Sequence, residues 1–319
     1  MLNRFNHFIE KWMFLVTPCC LALGVLFPSV AGLGVPYVPL VFAFMTFTGG
    51  LKSGFRDIAE VFRKPLLLLL ILVALHIVLP AAAFGLGHFL FPENMNIITG
   101  MVLEFTVPAA VVGLMWVSIY QGYSPLSLSL VILDTLLAPF VIPLTLHVLV
   151  GSDVEIDTTQ MMLELLFMIA LPALIAMLLN QFTKGRVKET WPSRLAPFSK
   201  LCLIFVVTSN SSQVAPYIRH MTAERFLVAA CILLLAASGY AIGWLFAFLF
   251  RQNHSVTVSM VYGAGMRNIS AGAVIASAYF PPEVVFPVMI GTLFQQILAA
   301  LFGMLVSRKQ RKTSVSPSV

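Results

Sequence analysis

The chain has 319 residues, of which 59% are hydrophobic and only 10% charged, whereas a soluble domain carries about 25% charged residues. This excludes an ordinary soluble fold, and since each membrane crossing consumes about 20 apolar residues, no length remains for a separate soluble domain. The net charge of +6 does not signal a nucleic-acid partner, because basic residues of a membrane protein collect in its cytoplasmic loops.

Apolar runs bounded by charge, proline or glycine predict spans at 12–29, 35–51, 66–91, 96–121, 124–150, 159–182, 197–217, 225–250, 255–280 and 283–307. The opening stretch, MLNRFNHFIEKW, contains Glu10 and leads into the first span without a small-residue cleavage site, so no removable signal peptide is expected. Cys19, Cys20, Cys202 and Cys231 lie in apolar runs without ligand spacing and read as small core hydrophobes. Beyond the first turns of the spans, the single charges within them are Glu104, Asp134, Glu164 and Arg267.

The loops alternate in charge. Arg4 and Lys11 precede the first span, and Lys52, Arg56, Arg63 and Lys64 follow the second. Lys184, Arg186, Lys188, Arg194 and Lys200 follow the sixth, Arg251 the eighth, and Arg308, Lys309, Arg311 and Lys312 the last. All of these fall on one side. The other side carries Glu93, Asp153, Glu155, Asp157 and Glu283, with Arg219 and Arg225 as the basic exceptions. The positive-inside rule places both termini in the cytoplasm of a cell bounded by an inner, or cytoplasmic, membrane.

An acidic loop at 150–158 divides the spans into two halves of five. Because five is odd, the halves must have opposite orientations, the inverted-repeat plan of many secondary transporters. Spans four and nine are then equivalent, and both are interrupted. EFTVPAAVVGLMW carries Pro108 and Gly113, and YGAGMRNISAGA carries Gly263, Gly265 and Gly272. Proline removes a backbone donor and glycine loosens a helix; irregular backbone at that depth survives only where it lines a cavity or is buried in protein. Close packing of small residues would explain the glycines alone. It does not explain Arg267 and Asn268 directly after them, and an arginine in mid-span marks a functional site unless it is paired or hydrated.

Other polar residues have two readings each. Asp134 could relay protons, pair with Arg267 or cap a backbone break; Glu104 has the same choices nearer the outer mouth. Glu164 would face the cavity. His76, four residues before Pro80, reads as a hydrogen-bonded core histidine. The run TSNSSQ (208–213), including Asn210, lines an aqueous cavity or forms a wet helix end, and Gln295 and Gln296 face the same choice.

These residues resemble the bile acid:sodium symporter family in its bacterial form, over about residues 10–307. FTGGLKSGFRDI (47–58), VLP (78–80) and VPAAVVGL with GYSPLSLS (107–129) resemble family segments. GAGMRNISAGAVIASAYF (263–280) resembles the ninth-span signature, with Gly265, Met266, Asn268 and the alanine-rich tail in register. The resemblance implies an all-α, ten-span, single transmembrane domain (1–319) of two inverted five-helix repeats. A panel (spans within 12–51 and 159–217) packs on a core (66–150 and 225–307) where broken helices four and nine cross. It implies a small organic anion, bile-salt-like or a small carboxylate, moved by alternating access, with Arg267, Asn268, Ser270, Gly113, Gln295, Gln296 and Asn210 as substrate contacts.

The departures concern sodium. The family's carboxylate falls on Gly263, its glutamine on Arg267, a third-span glutamine on Leu75, a serine–asparagine pair on Gly113 and Leu114, and a threonine on Val131. Ser127 keeps its hydroxyl. Hard cations need about five or six oxygen ligands, so sodium binding is expected to be weak or absent, with no other cofactor. Arg267, with five fixed donors, is expected to replace the ion, with Asp134, Glu104, Ser127 and Gly263 in the coupling or charge-pairing region. Direct contact with the substrate and a structural ion pair are the alternative roles of Arg267. No HExxH, nucleophile–base pair or paired aspartate suggests an enzyme. A conventional sodium symporter and a transport-inactive sensor or scaffold remain alternatives. The expected partners are the anion and the bilayer, with the chain monomeric.

Overall fold

The computed structural model describes residues 15–51, 54, 65–151 and 157–314. The basic positions Arg4, Lys11, Lys52, Arg56, Arg63 and Lys64, the acidic Asp153 and Glu155, and part of the 47–58 segment lie outside the described residues. Among the described residues every element is helical, and extended backbone pairs only as an isolated bridge between Ala109 and Arg267.

In chain order the helices are α1 (Leu15–Leu26), α2 (Pro28–Gly50), α3 (Pro65–Leu90), α4 (Met95–Thr106), α5 (Gly113–Ile119) and α6 (Ser124–Val150). They continue with α7 (Thr158–Phe182), α8 (Arg186–Gln213), α9 (Ala223–Leu249), α10 (His254–Gly265), α11 (Ile269–Tyr279) and α12 (Pro282–Ser314). Six of them, α2, α3, α6, α7, α9 and α12, are long and apolar enough to cross a membrane. Their outward faces are apolar: Leu33, Leu40, Phe89, Val148 and Phe182 are all exposed. Helices that are apolar both inside and out belong in lipid. Cys20 and Cys231 are buried as expected, but Cys19 faces outward rather than into the core, and Cys202 is half-buried.

Helix α2 lies between α7 and α8, and α1 touches α8 closely enough that a Cβ at Gly24 would sit 2.3 Å from the Thr208 carbonyl oxygen. Separately, α9 packs along α10, while α12 packs against α4, α9 and α11. Two helices widen in mid-course into π turns, α3 at Ala74–Val78 and α7 at Leu166–Ala170. Each turn ends just before a proline, Pro80 or Pro172. Proline has no N–H and its ring collides with the preceding turn's carbonyl; a widened turn absorbs both without ending the helix.

Candidate functional site: a helix crossover beside a cavity

The two predicted breaks meet. Val107 precedes Pro108, whose ring disfavours helical backbone in the residue before it, and Val107 is extended (φ −62°, ψ 152°), ending α4. Met266 is extended (φ −99°, ψ 124°) and ends α10. The freed backbone groups satisfy one another: Ala110 N–H donates to Met266 O at 3.0 Å, and Asn268 N–H donates to Pro108 O at 2.8 Å. Mutual pairing resolves the need to satisfy every backbone polar group inside a membrane. Glycine is required beside the junction, since a Cβ at Gly265 would lie 2.3 Å from the ring of fully buried Tyr240. Asn268 caps α11, its side chain accepting from Ala271 N–H at 3.2 Å.

Arg267 sits at this junction, 3% exposed. Its main-chain N–H donates to Gln295 Oε1 at 3.0 Å. Its terminal nitrogens Nη1 and Nη2 are buried without a hydrogen-bond partner, and Asp134 and Glu104 are the carboxylates that act on its charge. Asp134 is fully buried: Oδ2 accepts from Ala109 N–H at 2.7 Å, and Oδ1 lies 2.5 Å from His76 Nε2. One carboxylate thus joins α3, α6 and the crossover. It caps the backbone break, one of its expected roles, and is bonded to His76 rather than directly to Arg267. Glu104 is 2% exposed, with Oε2 unpartnered. Its other oxygen fits against Gly291, where a Cβ would stand 2.2 Å away.

A cavity of about 340 Å³ opens between the crossover and helices α2, α7 and α8. Six of the seven proposed substrate contacts line it: Arg267, Asn268, Ser270, Gln295, Gln296 and Asn210. The seventh, Gly113, does not; it is the buried first residue of α5, within van der Waals reach of Met266. Gln296 accepts from Trp116 Nε1 at 3.1 Å, which fixes its amide. Of the TSNSSQ run, Asn210 is on the cavity wall, and it is buried, as are Ser209, Ser211 and Ser212. Glu164 is not on the wall; it is exposed and accepts from Tyr279 OH. The charged residues on the wall are Arg267 and Lys200, both cationic.

The positions of the missing sodium ligands form a different environment. Leu75 is fully buried, and it clusters with Ile71, Leu130, Val131 and Ala109. A Cβ at Gly263 would lie 2.7 Å from Leu130 Cδ2, so that position faces hydrocarbon. Ser127 Oγ is buried without a partner. The His76 pairing and the Gly291 notch escape sequence reading. A histidine and an aspartate 58 residues apart carry no spacing signal, and a glycine in an apolar helix reads as packing.

Broken helices whose freed backbone meets beside a largely apolar cavity carrying a few polar groups are the arrangement in which secondary transporters hold their cargo. Residues 39–221 match the sodium bile acid symporter family, and the chain belongs to that family. It is 40% identical over 298 residues, 93% of this chain and 97% of the relative, to the uncharacterized protein YbaS of Bacillus subtilis strain 168. It is 22% identical over 313 residues (98% and 96%) to the uncharacterized sodium-dependent transporter YocS of the same organism. It is also 25% identical over 310 residues (89% and 70%) to the probable sodium/metabolite cotransporter BASS3, chloroplastic, of Oryza sativa subsp. japonica.

Proposed function

We propose that this protein carries a small organic anion across the cytoplasmic membrane by alternating access, with Arg267 standing in for a sodium ion. The carrying observation is the burial of a guanidinium at the crossover, where Asp134 and Glu104 act on its charge. A buried cation in the neighbourhood of two buried carboxylates does the work of an ion held between half-helices. The residues around it do not fit sodium: the carboxylate position is Gly263 against Leu130, and Leu75 and Val131 bring methyl groups where oxygens are needed. The relatives described as sodium-dependent therefore lend their transport class, and not their coupling ion, to this chain.

The wall supports an anionic cargo. Its charged residues are both cationic, and the start of α11 presents Ile269 and Ser270 to the cavity, where helix N–H groups and the helix dipole favour negative charge. The amides of Gln295, Gln296 and Asn210 add neutral donors. Ten crossings in two inverted halves accommodate the helices if α4–α5 and α10–α11 each count as one span. The panel is then α1, α2, α7 and α8, and the termini lie in the cytoplasm. A sensor without transport would have no use for two broken helices and an open cavity.

The test is uptake of labelled small carboxylates into proteoliposomes under imposed sodium or choline gradients. Uptake is expected to be the same in both media in wild type and reduced in Arg267→Gln. Uptake that rises steeply with sodium in wild type and in Arg267→Gln overturns the substitution of the ion by arginine.

A further inference from the structure

We infer that His76 and Asp134 together form the binding site of a coupling proton, with His76 Nδ1 as the atom that takes it up. This rests on the sodium-independent reading above and names the ion that replaces sodium.

The geometry begins at the π turn of α3, where His76 lies in the widened segment Ala74–Val78. Such turns are frequent at functional sites because they displace one side chain from the helical register. The imidazole meets Asp134 through Nε2 at 2.5 Å. In the neutral ring one nitrogen carries hydrogen and the other is an acceptor. The carboxylate accepts only, so Nε2 carries the hydrogen and Nδ1 is left with a lone pair. That Nδ1 is buried and has no hydrogen-bond partner. A histidine kept for structure alone would not leave it so, since an unsatisfied buried acceptor costs about 1–3 kcal/mol. A proton added there breaks no bond, keeps Nε2–H on Asp134, and turns the pair into imidazolium and carboxylate. The imidazole as a whole is 10% exposed against 0% for Asp134, while Nδ1 itself is buried.

The pair is wired to the moving junction. Asp134 Oδ2 holds Ala109 N–H, and Ala109 is bridged to Arg267. Charge gained at His76 therefore acts on the carboxylate that faces Arg267 and caps the broken fourth span. The other titratable groups on the packed elements are placed differently. Helix α4 brings Glu104, and α6 brings His147 near its far end. Helix α9 brings Cys231 and Tyr240, with Glu224 and Arg225 at its start, and α10 brings His254 and Tyr262. On α3 itself, His88 stacks on Phe84 with ring centroids 5.1 Å apart. Of the described residues, Asp134 is the one bonded to the His76 side chain.

The experiment uses the full chain in lipid nanodiscs with ¹⁵N-labelled histidines, in wild type, His76→Gln and Asp134→Asn. The ¹⁵N signals of one of the six histidines are expected to change with pH, to vanish in His76→Gln, and to respond to pH differently in Asp134→Asn. A His76 ring that does not titrate, or titrates identically in Asp134→Asn, overturns the proton site. Should His76→Gln not fold, the other two spectra still decide, since the ring bonded to Asp134 is the one that responds. With a carboxylate found transported, an imposed pH gradient is expected to raise wild-type uptake several-fold and to leave His76→Gln unresponsive. A wild type indifferent to the gradient overturns the coupling. If no carboxylate is carried, the transport reading falls while the ring titration still decides whether the proton site exists.

Discussion

Gly291 shows how a residue with no side chain sets the charge at the crossover. A Cβ there would stand 2.2 Å from Glu104 Oε1, and Glu104 is almost wholly buried. The carboxylate is the flexible end of its side chain, so Gly291→Ala should displace it rather than unfold the helix. Overpacking of this kind costs about 1–3 kcal/mol. The displacement should also change which carboxylate faces Arg267. Gly291→Ala is therefore expected to lower thermal stability in detergent, and Glu104→Ala added to it should recover part of the loss, because the clashing atoms are gone. The coupling in this double-mutant cycle should exceed about 0.5 kcal/mol, the usual limit for independent sites. Additive losses would mean that the two residues do not meet. Arg267 was legible at this scale because an arginine among glycines in an apolar run is not explained by close helix packing. Its neighbours were not legible, because the distances joining His76, Asp134 and Glu104 to it cross four elements.

Element by element, hydropathy reads the membrane and misses helix that leaves it. The fifth and sixth predicted spans, 124–150 and 159–182, agree with α6 and α7 to within a residue. Helix α8, by contrast, starts at Arg186 rather than at 197, because RVKETWPSRLA is polar enough to read as loop yet continues the helix after Gly185, which takes the left-handed turn (φ 87°). Likewise α12 runs to Ser314, past its apolar stretch. The π turns were invisible, since proline in a helical run signals a break or kink and not which turn will widen. The N-terminus of α11 was legible and can be tested on its own. Asn268→Ala removes the cap from Ala271 N–H and should cost about 1 kcal/mol. Asn268→Asp keeps a capping oxygen and is favoured by the dipole, but puts negative charge on the cavity wall. Asn268→Asp should therefore hold wild-type thermal stability while losing most anion uptake, and Asn268→Ala should lose stability first. Equal uptake in Asn268→Asp and wild type would remove α11 from the substrate site.

Across the whole molecule, the cavity extends toward one end of the helix bundle. Its wall runs from Asn268 past Thr48 and Gly50 at the end of α2 to Ser199, Ala196 and Pro192 in the first half of α8, the ends that adjoin the basic loops. At the opposite end, α11 is tied to the helices it faces. Ser277 Oγ, whose hydrogen goes to the Ala273 carbonyl at 2.7 Å, lies 3.3 Å from the Asn210 side-chain amide, and Tyr279 OH donates to Glu164, which also accepts from Gln160 at 2.7 Å. These contacts join α11 to α8 and α7, so they must break for the cavity to open the other way. In inside-out vesicles, with the four native cysteines replaced, Ser199→Cys should react quickly with an impermeant thiol reagent and Ser277→Cys should be protected. Adding Tyr279→Phe removes one bond of the closure without changing the ring. A charge-assisted hydrogen bond contributes about 1.5–3 kcal/mol and this one is exposed to solvent, so the population open at the α11 end should rise by about tenfold at most. Ser277→Cys labelling in right-side-out vesicles should rise with it, while Ser199→Cys labelling in inside-out vesicles falls. If Ser277→Cys labels equally with and without Tyr279→Phe, the bond between Tyr279 and Glu164 holds the helices together but does not govern which side is open.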